Sequence, residues 1–214
     1  MPLRLLLFLL SLWAFLAVAS LHLGVRSYDP ATVWRALTVG GADPAALIVT
    51  GLRVPRLVLA TLVGAMLALS GLLMQAATRN PIAEPALLGV NGGAALAVVV
   101  WVVLLGDPGM PALMAIAGTG ALTAGTLVFG LVAISAPGFP PSALLLAGVA
   151  ISALLASGVQ VVVLLDEGAM EELLFWLSGG FEGRPLDGLR FALALALSAT
   201  LSAVILAPAL DVMA

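Results

Sequence analysis

Cysteine is missing from the 214-residue chain. Its absence excludes a disulfide framework and a thiolate metal or redox centre. Lysine is missing as well, so all eight cations are arginine. A Walker-A phosphate loop needs its lysine, so any ATP hydrolysis must come from another polypeptide. Histidine occurs once, as His22, and reads as an interfacial polar residue. There is no H-E-x-x-H and no G-x-S-x-G, and no catalytic constellation, cofactor site or metal site is expected. Charge is scarce at 9% of residues, with a net charge of −3. A soluble domain carries about 25% charged residues. The negative balance leaves no basic footprint for nucleic acid.

What is present is apolar. Hydrophobic residues make up 63% of the chain, and mean hydropathy is +1.23. No soluble core hides that much apolar surface, so the solvent is membrane lipid. The 23 glycines and 13 prolines suit membrane helices, which tolerate both. A spanning helix needs about 20 predominantly apolar residues. Runs at 5–25, 57–77, 87–105, 112–135, 142–165 and 189–207 supply six such spans. The expected fold is an all-α polytopic transmembrane bundle, a single domain over 1–214. The first run follows Arg4 and carries Ala17-Val18-Ala19, a possible signal-peptide cleavage triplet. An uncleaved first span is preferred, because the chain goes on to cross the membrane repeatedly.

Between the first two spans lies a loop, 26–54. Asp29 before Pro30 predicts a capped short helix over 30–38, and Tyr28 and Trp34 fit an aromatic belt. Small residues recur four apart at Ala60, Gly64 and Ala68, at Ala117, Ala121 and Gly125, and at Gly148, Ser152 and Ala156. Such stripes let helices approach closely in lipid. Ser142 is a candidate N-cap for the fifth span. Six of the eleven acids fall between residues 166 and 187. There Met170, Leu173, Leu174 and Leu177 recur at helical spacing, as in a surface-lying amphipathic helix anchored by Trp176.

The most distinctive stretch is 53–94, RVPRLVLATLVGAMLALSGLLMQAATRNPIAEPALLGVNGGA. It places in order R-x-P-R, G-A-x-L-A-x-S-G, a glutamine, and N-P-x-A-x-P-x-x-L-G. This pattern resembles the signature of the permease subunits of bacterial ABC importers for iron-siderophores, haem and cobalamin. The resemblance is specific for the family and leaves the cargo open. It implies a non-enzymatic subunit of the bacterial inner membrane that pairs with a second permease chain. Its further partners are a cytoplasmic ABC ATPase and a periplasmic or lipid-anchored substrate-binding protein.

The resemblance also assigns roles. Taken alone, Arg53 and Arg56 read as interfacial side chains that snorkel; the family match makes them the docking rim for glutamates on the binding protein. Charges at such a rim steer a partner more than they add affinity. The Thr78-Arg79-Asn80-Pro81 turn, with Glu84 near Arg79, reads as structural first and as a relay of movement second; Asn80-Pro81 looks like a helix start. Asn91-Gly92-Gly93 marks either a broken helix on a cavity or a small-residue packing site. Gln75 and Gln160 are polar groups within spans, either hydrogen-bonded between helices or facing an aqueous path. With Ser152 and Asn91 they are translocation-path candidates. Phe139, Pro140, Pro141 and Ser142 correspond to the family's inner gate.

Two tensions follow. Arg26, Arg35, Arg53, Arg56, Arg184 and Arg190 fall on one side of a six-span topology, Arg4 and Arg79 on the other. The positive-inside rule makes the first side cytoplasmic, whereas the resemblance puts both termini inside and Arg53 and Arg56 outside. The resemblance is followed. Family members have about ten spans, so the chain is expected to be a C-terminally truncated portion, inactive alone. The rival function is an ATP-independent secondary transporter or channel subunit. It would show a charged relay within the spans, and residues 108–165 hold no charge.

Overall fold

The computed structural model describes residues 3–135, 140–166, 168, 170, 171, 174 and 189–213. All regular structure among them is helical. The described residues fall into two compact units, one up to Gly64 and one from Ala65 onward.

In the first unit, α1 (Leu3–His22) is an apolar rod with no buried residue, as a lipid-facing helix should be. A tight turn follows, closed by the Tyr28 N–H donating to His22 O at 3.0 Å. Helix α2 (Pro30–Thr38) starts on Asp29, whose carboxylate accepts from the Thr32 N–H at 3.3 Å. Pro30 sits at the first helical position, where its missing N–H is harmless. Asp43 and Pro44 repeat the same device for the short α3 (Pro44–Ile48). A π-helical turn, Val49–Arg53, then leads straight into α4 (Val54–Thr78). Pro55 explains the π turn. A proline inside a helix lacks its N–H and collides with the carbonyl four residues back. One wider turn just before it absorbs both defects, with the Val54 N–H reaching five residues back to Val49 O. Val33, Ala36, Ala46 and Val49 form this unit's small core, with Leu21, Tyr28 and Val54 packed on it.

The second unit holds the C-terminal part of α4, a 3₁₀ turn (Pro85–Leu88), α5 (Val90–Leu105), α6 (Met110–Ser135), α7 (Pro141–Leu165) and α8 (Leu189–Met213). Helices α5 and α6 meet through glycine. A Cβ on Gly93 would collide with Gly120 O and lie 2.6 Å from Ala124 Cβ; one on Gly120 would meet Gly93 O and lie 2.6 Å from Ala97 Cβ. Only hydrogen fits at either position, so the backbones touch. That closeness is what replaces the hydrophobic effect as the drive for packing in lipid. Val98, Leu113 and Ala117 form one cluster beside it. Met74, Ala83, Leu88, Val128, Val132 and Leu144 form another. The 3₁₀ turn rests on α7, where a Cβ on Gly148 would strike the Leu87 carbonyl.

Four described helical stretches are long and apolar enough to cross a membrane: Leu3–His22, Pro44–Thr78, Met110–Ser135 and Ser142–Leu165. Two further apolar helices are shorter by that measure, Val90–Leu105 and Leu193–Ile205. All six expected spans therefore correspond to helices, in a multi-pass membrane protein. Several details differ from expectation. The second span begins well before residue 57, because α3, the π turn and α4 are continuous over 35 residues; most of the expected loop is helix. The third begins at Val90 rather than 87, since Gly89 is left-handed at φ 73°. It runs unbroken through Asn91-Gly92-Gly93, so the interruption falls one turn earlier, in the 3₁₀ segment. Ser142 is not the cap of α7: Pro140 occupies that position and Pro141 opens the helix. The stripe at Gly64 faces open space among the described residues. On α6 the close contact runs through Gly120 instead of Ala121. The 166–187 amphipathic segment, including Leu173, Trp176 and Leu177, lies largely outside the described residues.

Candidate functional site

The π turn delivers Arg53 to the end of α1. Its Nη1 donates to Leu21 O at 2.8 Å and its Nη2 to Arg26 O. The guanidinium carbon stands 4.9 Å from the centre of the Tyr28 ring. The last carbonyls of a helix have no partner within it, and the helix dipole makes that end negative. Arg53 meets both needs at once, and its planar fork serves two acceptors as a lysine's point charge would not. Gly24 makes room: a Cβ there would lie 2.9 Å from Nη2. Tyr28, expected in an aromatic belt, is half-buried in the small core beneath this cation, while Trp34 is 70% exposed.

Arg56 follows one turn on and is exposed, while Pro55 between the two is buried. The R-x-P-R element thus splits into an inward arginine and an outward one. Both line a cavity of about 690 Å³ together with Arg26, Leu52, Leu57 and Ala60. Nothing in the sequence hints at this cavity, because its walls come from two stretches more than twenty residues apart, 20–26 and 48–60. Asp29 stands apart from it. The Thr32 hydroxyl bonded to its carboxylate holds the Asp29 pKa below the ordinary carboxylate value, and backbone N–H groups add to the effect.

At the other end of α4, Arg79 takes a left-handed conformation (φ 51°) that terminates the helix. Asn80 does not start a helix. Its Oδ1 accepts from the Ile82 N–H at 3.1 Å, closing a side-chain turn. Arg79 and Glu84 are both exposed, and no ion pair joins them among the described residues.

The four path candidates do not converge into one hydrogen-bonded cluster. Ser152 on α7 is half-buried, its Oγ 3.3 Å from where Gly89 would carry a Cβ. It therefore abuts the turn that opens α5, two residues before Asn91. Asn91, Gln75 and Gln160 are exposed. Of the gate candidates, Pro140 and Pro141 form the rigid start of α7, Ser142 is exposed in its first turn, and Phe139 lies outside the described residues. No group of three or more metal-ligating side chains occurs among the described residues.

Comparison with known proteins gives this arrangement a context. The chain is 34% identical over 183 residues to the Fe(3+)-citrate import system permease protein YfmD of Bacillus subtilis, covering 84% of this chain and 54% of that protein. It is 34% identical over 203 residues to the ferric enterobactin transport system permease protein FepD of Escherichia coli, covering 95% and 61%. It is 41% identical over 142 residues to the vitamin B12 import system permease protein BtuC of Salmonella arizonae, covering 64% and 41%. The chain thus spans about half of the length of such relatives. Its fold matches a solved inward-facing ABC transporter assigned to the metal-chelate type, with a TM-score of 0.78 and 26% identity over 99% of this chain and 64% of that one. Residues 10–214 match the model of the FecCD transport family, and the chain belongs to that family.

Proposed function

We propose that the chain works as a permease subunit of a binding-protein-dependent ABC importer, for a ferric siderophore, haem or cobalamin. The observation that carries this is the family match along nearly the whole chain, joined to relatives named for import of Fe(3+)-citrate, ferric enterobactin and vitamin B12. In this reading it sits in the bacterial inner membrane, pairs with a second permease chain and is driven by a cytoplasmic ATPase. The Arg53 and Arg56 end faces outward. The geometry supports a division of labour there. Arg56 is exposed and meets the carboxylates of an arriving binding protein, where arginine can grip bidentately. Arg53 holds the end of α1 and so sets where that rim stands. Ser152, Asn91, Gln75 and Gln160 are path candidates, and Pro140 to Ser142 stiffen the inner gate.

The test is uptake of the three labelled cargoes by cells in which the encoding gene is disrupted and then restored. One cargo should depend on the gene and on ATP. Restoration with Arg53→Glu and Arg56→Glu together should leave the protein in the membrane and abolish uptake. Uptake that continues without ATP would favour an ATP-independent transporter, a reading that the uncharged stretch 108–165 argues against, since proton and ion relays need ionisable groups in the spans.

A further inference from the structure

The cavity beside Arg53 combines cations with an apolar lining that docking of a protein carboxylate does not need. Arg26, Arg53 and Arg56 line it, and no acid lines it among the described residues. The bonds that Arg53 makes run to neutral carbonyls and a ring, so its charge is held in place without being cancelled by them. Leu23, Val25, Ile48 and Leu52 line it beside these cations, and farther along α4 the wall is Leu57 and then Ala60. At 1.5 Å per residue, Ala60 stands about 10 Å from Arg53 along the helix. The cavity lies where one apolar helix ends and another begins, α1 at its C-terminus and the continuous Pro44–Thr78 stretch near its N-terminal part. Cationic groups set beside alkyl side chains match a lipid, which carries a charged phosphate next to hydrocarbon tails.

We propose that this cavity binds an anionic phospholipid, its phosphate against Arg26 and the Arg53 guanidinium and one acyl chain along Leu57 and Ala60. The volume lies within the ordinary range for ligand sites. This inference does not depend on which cargo the protein moves, or on whether it moves one.

The test uses the chain purified in neutral detergent and examined by native mass spectrometry with phosphatidylglycerol or phosphatidylcholine of identical acyl chains. One phosphatidylglycerol should be retained about fivefold more tightly than phosphatidylcholine. Arg26→Gln should weaken that preference, leaving the share that Arg53 supplies. That variant keeps the Arg26 carbonyl, so Arg53 stays in place and the melting temperature should hold. Ala60→Trp should displace the lipid by filling the apolar end. Arg35→Gln, on α2 outside the cavity lining, should change nothing. Equal retention of both lipids would overturn the proposal. So would an equal loss with Arg35→Gln, which would mean diffuse charge rather than a site. Displacement by glycerol phosphate at matched concentration would assign a free phosphate ester instead. Retention of a glutamate-rich peptide with no bound phosphatidylglycerol would assign a protein partner.

Discussion

Arg53 donates to the carbonyl of Leu21, 32 residues earlier in the chain, at 2.8 Å. A side chain from the π turn that leads into one apolar helix thereby closes the end of another. The contact ties two stretches that share little else than a small core.

Removing that fork should loosen the first unit. Hydrogen bonds to charged groups contribute about 1.5–3 kcal/mol each, less where solvent reaches them. Arg53→Leu is expected to destabilise the protein by about 2 kcal/mol, and Arg53→Lys by roughly half that, because it keeps the charge and loses the planar fork. Gly24→Ala should act like a mild version, since its methyl would fall 2.9 Å from Nη2. Thermal melts in detergent measure all three; equal stability of Arg53→Leu and the parent would refute the role.

Gly93 and Gly120 should tolerate nothing larger. Overpacking a tight contact costs about 1–3 kcal/mol, and here the obstacle is backbone, which cannot rotate away. Gly93→Ala and Gly120→Ala should each lower stability by about that much. Gly118→Ala and Gly130→Ala on the same helix, with nothing within 4 Å, should be neutral or slightly stabilising, as alanine is the better helix former. Melting all four variants side by side checks the contrast.

The start of α2 should depend on pH in one direction. Asp29 is held below its ordinary pKa by Thr32, so the folded state binds its proton less readily than the unfolded chain. The cap is fully present above the unfolded value, near pH 4, and is lost as pH falls through the depressed one. Exchange of the Thr32 amide, corrected for intrinsic rate, should rise on acidification in the parent. In Asp29→Asn, whose amide oxygen does not titrate there, it should stay flat.

Topology is open to a clean test because the chain has no cysteine. Gly51→Cys, at an exposed position with nothing within 4 Å, should react with a membrane-impermeant thiol reagent in intact spheroplasts. Labelling only after lysis would place the arginine-rich end in the cytosol and remove the docking role of Arg56.

The sequence showed what is local. The Asp29-Pro30 cap lies within four residues of everything it touches, and the helix came out at 30–38 as read. Asp43-Pro44 carries the same signal, yet the segment read as loop, because α3 is only five residues long and Pro55 read as the mouth of the second span rather than as the cause of a π turn that carries the helix through it. The touching glycines were hidden for a different reason. Small-residue spacing marks faces that permit close approach, but the facing helix decides which are used, so Gly64 is idle and Gly120 is not. The R-x-P-R element was legible as a unit. That one arginine turns inward depends on Leu21, Arg26 and Tyr28, which lie about 25–32 residues away.

Helix α5 has 16 residues, a rod of about 24 Å, whereas a hydrocarbon core is about 30 Å thick. The 3₁₀ turn Pro85–Leu88 that leads into α5 has a backbone that would be intolerable against acyl chains. On one side α7 covers it, with Gly148 flush against the Leu87 carbonyl. A methyl group on Gly148 would strike that carbonyl and prise the turn away from α7, a lesion at the entrance of α5 rather than in the helix itself.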